Sequence, residues 1–259
     1  MTYEFNGEKY KKSSTHQKEW GNKIINELKI SKNAKILDLG CGDGTITLEL
    51  AKKAPQGFVL GIDASTGILD MAKQNEIKNL AFEKMDINHL TLSDKFDLIF
   101  SNATLHWIKD HIKLWKSIYP LLNNKGIIRF NFAADGNCAS FFKIIKKIIQ
   151  KTEYVQFFKE FEWSWFMPEI KKYQNIIKEV SFLNIDIWEE NADRFFPNEE
   201  SLIGWIDQPS IVPFLKHIPG NKLKKQFRNT VVEAMIKKTK QKDNKYFETF
   251  RRINVMAKR

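Results

Sequence analysis

AKILDLGCGDGTITLELAKK, residues 34–53, sets an apolar run against three alternating glycines and then against apolar residues that recur at helical spacing. That order predicts a strand, a tight turn and a helix. Gly40, Gly42 and Gly44 let the backbone turn sharply and let a ligand approach closer than any Cβ would allow. The dinucleotide fingerprint G-x-G-x-x-G requires a glycine at position 45, where this chain has Thr45. Asp38 also stands two residues ahead of the first glycine. The turn therefore fits a nucleotide-like group but fits a pyrophosphate poorly.

Outward from this stretch, strand and helix signals alternate. A helix over about 13–28 comes first, with Gln17, Trp20, Ile24, Ile25 and Leu28 on one side. After the glycine turn come a helix from Thr45, the strand GFVLGID, a helix capped by Ser65, the strands LAFEK and FDLIFS, a helix near 110–119, and the strand GIIRFNF. The expected fold is α/β, a doubly wound, mostly parallel sheet whose strands are apolar on both faces and whose crossovers are right-handed. The expected division is an N-terminal lid helix over 1–30, a cofactor-binding α/β core over 31–135, a helical, aromatic-rich cap over 136–167, and the rest of the sheet over 168–259. That last part holds a helix near 168–180, the strand NIDIWEE, a helical insertion at about 197–240, and a closing strand in ETFRRINVMAK. Pro197, Pro209, Pro213 and Pro219 predict short helices at angles within the insertion.

With 259 residues, 42% hydrophobic and 28% charged, the chain can bury a sizeable core. No apolar run approaches the ~20 residues of a membrane-spanning helix, and MTYEFNGEKYKKSS carries no apolar leader, so a cytoplasmic protein is expected. Two cysteines, Cys41 and Cys138, are too few for a disulfide framework or a zinc cluster, and Cys41 reads as a small residue filling the turn. No His, Cys, Asp or Glu cluster has metal-ligand spacing, so no metal is expected. The net charge of +11 is scattered over helical patterns, which favours solvated faces over a nucleic-acid groove.

Each of the first four strands or the loop after it carries a polar group at the rim where open α/β sheets bind ligands. These are Asp38, Asp63, Asp86 in the segment MDI, and Ser101 with Asn102. Asp63 lies 19 residues past Gly44, at the distance from which an acid accepts bonds from two ribose hydroxyls. Asp86, between Met85 and Ile87, suits the exocyclic amine of an adenine held among apolar groups. Each Asp alone also reads as a helix or turn cap. Together, three carboxylates on one rim repel a triphosphate and suit a ligand with a sulfonium and an ammonium, which is S-adenosylmethionine.

The motifs VLDLGCGxG-like, GID-S, D-I and FDLIFSNATLHW resemble those of class I S-adenosylmethionine-dependent methyltransferases, which have a seven-stranded Rossmann-like sheet. YKKSSTHQ, SNATLHWIKDH and IDIWEENADRFFPNEESLIGWI are similar to segments of the trans-aconitate methyltransferases, kin to juvenile hormone acid and malonyl-carrier-protein O-methyltransferases. The resemblance implies cofactor contacts from Asp38, Gly40, Cys41, Gly42, Asp63, Ala64, Asp86, Ile87 and Asn102, with S-adenosylhomocysteine as product. It implies an acceptor mouth lined by Tyr10, Gln17, His106 and Trp107, the last three aligning the reaction. The aromatic run that includes Trp163, Trp165 and Phe166 reads as a cap underside, with Trp165 also shaping an acceptor pocket. Arg129, Arg194, Arg228, Arg251 and Arg252 are candidates for gripping an acidic substrate. The expected reaction is O-methylation of a small anionic acid. Alternatives are N- or C-methylation of another metabolite, or a non-catalytic S-adenosylmethionine- or RNA-binding protein. Oligomeric state is left open.

Overall fold

The computed structural model describes Glu4, Gly7, residues 15–180, Phe182 and residues 184–259. Seven strands form one sheet in the order β3-β2-β1-β4-β5-β9-β6. The strands are β1 (Lys35–Leu39), β2 (Phe58–Asp63), β3 (Leu80–Lys84), β4 (Phe96–Asn102), β5 (Leu122–Ala133), β6 (Asn184–Asn191) and β9 (Arg251–Lys258). β1 pairs in parallel with β2 and with β4, so the strand order reverses between β1 and β4. That reversal opens a crevice at the carboxyl ends of these two strands. β9 runs antiparallel to β5, with Asn131 opposite Asn254 and Ala133 opposite Arg252. The sheet is therefore mostly parallel, with the last strand, β9, running against the direction of β1–β5.

Both faces of the sheet are apolar because both are covered. Ile36, Val59, Leu98 and Phe100 pack under α1 (Thr15–Glu27), α2 (Thr45–Lys53) and α3 (Thr66–Ala72) with Ile24, Ile25, Leu50 and Leu69. Leu37, Leu39, Ile99 and Phe130 face α4 (His111–Ile118) and α6 (Ile170–Ile177), with Trp115, Ile118 and Tyr173 fully or almost fully buried. Consecutive residues of β1 point to opposite faces, so the strand reads as an unbroken apolar run. Ser65 occupies the N-cap position of α3 as expected, but its hydroxyl makes no bond to the helix's amides. Its hydroxyl donates to Glu4, whose carboxylate also accepts the Gly67 amide at 2.6 Å.

The chain divides into two compact units. One comprises residues up to Asp135, Trp165–Glu190 and Arg252–Arg259; the other comprises Gly136–Ser164 and Asn191–Arg251. The second unit therefore joins two stretches that the sequence separates, ending the first at 164 rather than 167 and running the other from 191 rather than 197. The cause is aromatic packing between residues 64 to 73 positions apart in the chain. Phe141 on α5 (Ala139–Ile148) meets Trp205 of α7 (Glu199–Trp205) at 5.6 Å and Phe214 of α8 (Val212–Leu215) at 6.2 Å. Tyr154 and Phe158 lie 5.0 and 5.8 Å from Phe227 on α9 (Asn221–Thr239). The expected short helices stop at Pro219, and α9 then runs unbroken for 19 residues. A pair of strands that the sequence reading lacked, β7 (Arg194–Phe196) and β8 (Tyr246–Glu248), forms a separate ribbon in this unit.

Among the described residues no helix is long and apolar enough to cross a membrane. At the start of α5, buried Glu248 accepts the amides of Ser140 and Phe141 at 3.1 and 2.9 Å and that of Thr249 at 2.8 Å. The amides of Ser140 and Phe141 are orphan donors of a helix N-terminus, and burial without a partner is costly. Glu248→Ala is expected to destabilise the protein by about 1–3 kcal/mol, and Glu248→Gln, which retains a carbonyl acceptor, by less. Denaturant unfolding of both variants checks this, and an unchanged midpoint for Glu248→Ala would remove the capping role.

Candidate functional site

The glycine turn is built first from its own backbone. Gly40, Gly42 and Gly44 have φ of +73°, +56° and +75°, the left-handed region that a Cβ disfavours. A Cβ on Gly40 would lie 2.1 Å from the Thr104 side chain, and one on Gly44 would lie 2.6 Å from Phe82. Two of the three glycines are thus required by protein neighbours. The amides of Gly40 and Cys41 donate to the Ile62 carbonyl at 2.8 and 3.0 Å, which stitches the turn to β2. The Gly42 amide donates to Asp63 Oδ2 at 3.1 Å, and Asp63 Oδ1 accepts the Ser65 amide at 2.9 Å.

Asp38 is buried, and its carboxylate accepts the Thr47 hydroxyl at 2.8 Å. Burial pushes its pKa up to about 7 against the opposing effect of that hydrogen bond, and the charge of Asp63 adds a further push. The Asp63 carboxyl is likewise raised by burial, with backbone amides pulling it back. Burial also pushes the Cys41 thiol up, which leaves it a poor nucleophile. α1 is latched to the turn by an ion pair of 2.8 Å between Lys18 and Asp43. Asn102 at the end of β4 donates from Nδ2 to the Gln17 carbonyl at 2.7 Å.

Gln17, Asp38, Gly40, Cys41, Gly42 and Asn102 line one cleft of about 380 Å³. Lys18, Asp43, Ile46 and Phe100, which the sequence reading did not place in the site, line it too. Lys18 and Asp43 carried no signal because their roles come from a helix packing on a turn 25 residues away. Thr47 and Thr104 were likewise silent, being ordinary threonines until the fold brings them to Asp38 and Gly40. Among the described residues Gln17 Oε1 and Asn102 Oδ1 are buried acceptors without a hydrogen-bond partner. Unpaired buried acceptors call for donors, and these two with Asp38 fit a ligand bearing an ammonium, hydroxyls and an amine, as S-adenosylmethionine does.

Other expected residues sit apart from that cleft. Half-buried Asp86 accepts the backbone and side-chain nitrogens of Asn88 at 2.9 and 2.8 Å and starts a short turn that includes buried Ile87. Ala64 is half-buried directly after Asp63. His106 and Trp107 occupy a single turn, Leu105–Trp107, after β4. Trp165 packs on Trp107 with ring centroids 5.2 Å apart, while Trp163 belongs to the other unit, against Phe161 and Phe214. Tyr10 lies outside the described residues. Among the described residues His106 Nδ1 is buried without a partner, and burial, with Arg252 and His111 adding to it, holds the imidazole well below the ordinary histidine range. Of the candidate arginines, Arg129 is paired with Glu27 at 3.2 Å, Arg228 with Asp207 at 2.8 Å, and Arg251 with Asp193. Arg252 is buried, bonds Asn131 Oδ1 at 2.8 Å and stacks 4.4 Å above Trp20. Among the described residues no group of three His, Cys, Asp or Glu could hold a metal ion.

The family model described as a methyltransferase domain matches residues 30–197. The chain is 30% identical over 190 residues, 72% of its length and 73% of the relative's, to trans-aconitate 2-methyltransferase of Deinococcus radiodurans. It is 24% identical over 226 residues, 86% of either chain, to the trans-aconitate 2-methyltransferase of Escherichia coli O157:H7. Among solved structures, phosphoethanolamine N-methyltransferase 2 of Haemonchus contortus in complex with S-adenosyl-L-methionine shares the fold, with a TM-score of 0.57 and 18% identity over 93% of this chain and 52% of that one.

Two outcomes follow from the cleft. Asp63→Ala is expected to weaken S-adenosylmethionine binding by roughly 10–100-fold, or ~1.5–3 kcal/mol, and calorimetry showing unchanged affinity would remove Asp63 from the site. Asp38, with its folded pKa near 7, holds a proton between about pH 4 and 7 that the unfolded chain has released. Its contribution to stability therefore falls as pH rises through that window, by ~1 kcal/mol per pH unit, and is level above it. Asp38→Asn removes this slope, so the variant should gain on wild type from pH 5 to 7; parallel unfolding curves at both pH values would contradict the raised pKa.

Proposed function

The chain belongs to the methyltransferase-domain family and is an S-adenosylmethionine-dependent methyltransferase, and from that premise we propose that it methylates a carboxylate oxygen of a small anionic acid. The observation that carries the reading is that His106 Nδ1 is buried with no hydrogen-bond partner among the described residues, close enough to Arg252 to feel its charge. A neutral imidazole whose proton affinity is suppressed is a weak base. A carboxylate acceptor needs none, because it is already ionised at neutral pH. The buried charge of Arg252, which disfavours the imidazolium of His106, favours an anion in the same place. The relatives named for trans-aconitate support an acid of that kind.

S-adenosylmethionine, when bound, supplies a methyl group on a cationic sulfur. Asp38, Gly40, Cys41, Gly42, Asp63, Ala64, Asp86, Ile87 and Asn102 are the residues proposed to hold it, with the orphan oxygens of Gln17 and Asn102 as acceptors for its donors. The protein's remaining work is alignment and exclusion of water. Gln17 reaches the cleft from α1, and the paired rings of Trp107 and Trp165 form an apolar wall beside His106. Tyr10 is kept in this proposal as a further mouth residue on the strength of the resemblance.

Screening mono-, di- and tricarboxylic acids with labelled cofactor tests the acceptor class, and transfer to none of them, with transfer to an amine instead, would overturn it. On the acid that is turned over, Gln17→Ala and Trp107→Ala are expected to lose kcat without a matching loss of cofactor affinity, whereas His106→Asn retains substantial activity. A true general base would cost roughly 10²–10⁴-fold, so a collapse of that size in His106→Asn, with loss of a titration near pH 6–7, would replace the carboxylate mechanism by a base-assisted one.

A further inference from the structure

The turn that carries His106 and Trp107 is gripped at successive carbonyls. The imidazole of His111 bonds the Leu105 carbonyl through Nε2 at 3.0 Å, and the Phe166 amide donates to the His106 carbonyl at 2.8 Å. On its other side His111 Nδ1 is 2.9 Å from the Tyr173 hydroxyl, which in turn receives the indole N–H of Trp115 at 3.1 Å. We propose that His111, Tyr173 and Trp115 are positioning residues that set the turn Leu105–Trp107 for methyl transfer. The inference rests on reading that turn as the acceptor mouth.

The direction of the network follows from donor counting. A carbonyl only accepts, so His111 must carry its proton on Nε2, and Nδ1 is then an acceptor. The Tyr173 hydroxyl therefore donates to Nδ1, and its oxygen accepts from Trp115. The chain Trp115 to Tyr173 to His111 to Leu105 runs one way, and the backbone of Ile108, directly after the turn, is a further partner of the His111 imidazole. All three side chains are at most 2% exposed, so no solvent competes for these bonds. The arrangement works only with a neutral His111, and burial holds its pKa down at about 4. A second proton on His111 would turn Nδ1 into a donor and leave the Tyr173 hydrogen without its acceptor.

The geometry favours positioning over simple filling of the core. A histidine, a tyrosine and a tryptophan are a costly way to fill an apolar space unless their polar atoms are needed. Here those atoms end on the carbonyl directly before His106. The rings complete the clamp: His111 lies 4.7 Å from Phe166, and Phe166 follows Trp165, which packs on Trp107. Thr104 holds the near end of the turn, accepting the Trp107 amide at 2.9 Å while its hydroxyl reaches the Gly40 carbonyl at 3.0 Å.

Tyr173→Phe keeps the ring and deletes the one oxygen that joins Trp115 to His111. With trans-aconitate as acceptor, kcat is expected to fall about tenfold while the acceptor KM changes less, as for a misaligned rather than an evicted substrate; the Kd for S-adenosylmethionine stays within about twofold of wild type by calorimetry. Nitrogen-15 NMR of wild type at pH 7 is expected to show His111 as the neutral Nε2-protonated tautomer. An Nδ1-protonated or cationic His111, or wild-type kcat in Tyr173→Phe while Trp107→Ala is impaired, overturns the network alone. Unimpaired turnover in both variants overturns the placement of the mouth, and no turnover of trans-aconitate by wild type counts against the acceptor proposal, leaving the tautomer to decide for the network.

Discussion

The Thr104 hydroxyl reaches the Gly40 carbonyl at 3.0 Å, and that contact exists only because Gly40 has no Cβ. The consequence is geometric. β1 and β4 are neighbours at the point where the strand order reverses, and the loops that leave them touch through Thr104 and Gly40. Gly40 at φ +73° provides the clearance. With the loops in contact, the carboxyl end of β1 presents Asp38 and Gly42, the end of β4 presents Asn102, and the turn Leu105–Trp107 follows within a few residues. The groups proposed for the cofactor and those proposed for the acceptor are thereby set against a common backbone junction, an arrangement suited to catalysis by alignment.

The N-terminal helix is held over this junction by polar rather than purely apolar means. Lys18 pairs with Asp43, Asn102 bonds the Gln17 carbonyl, and further along Glu27 meets the buried guanidinium of Arg129. Arg129 and Arg252 occupy one face of the β5–β9 pair, where Asn131 and Asn254 stand opposite each other and share their side-chain bonds with them. Burying two arginines costs a great deal unless each is hydrogen-bonded. Here Asn254 Oδ1 accepts from both Arg129 and Asn131, Asn131 Oδ1 accepts from Arg252, and Trp20 and Trp188 cover the two guanidiniums. Burial, with the charge of Arg252 on this face adding to it, holds the His106 imidazole well below the ordinary histidine range.

Much of this was legible in the chain because it depends on local patterning. Residues 34–53 determine strand, turn and helix from apolar spacing and glycine placement alone, and the repeated strand–helix alternation to residue 133 dictates a doubly wound sheet. The strand-end positions of Asp38, Asp63 and Asn102 follow from the same pattern, since a parallel strand delivers its last residues to the ligand-binding rim. Tertiary structure decided what depends on distant partners. It divided the glycines' roles, because only folding brings Thr104 and Phe82 against Gly40 and Gly44. It joined 136–164 to 191–251 through ring contacts between residues 64 and 73 positions apart, and it split Trp163 from Trp165. It also buried His106 and His111, which holds both imidazoles below the ordinary histidine range. A side chain's proton affinity is set by burial and by neighbouring charges, and a linear sequence carries neither.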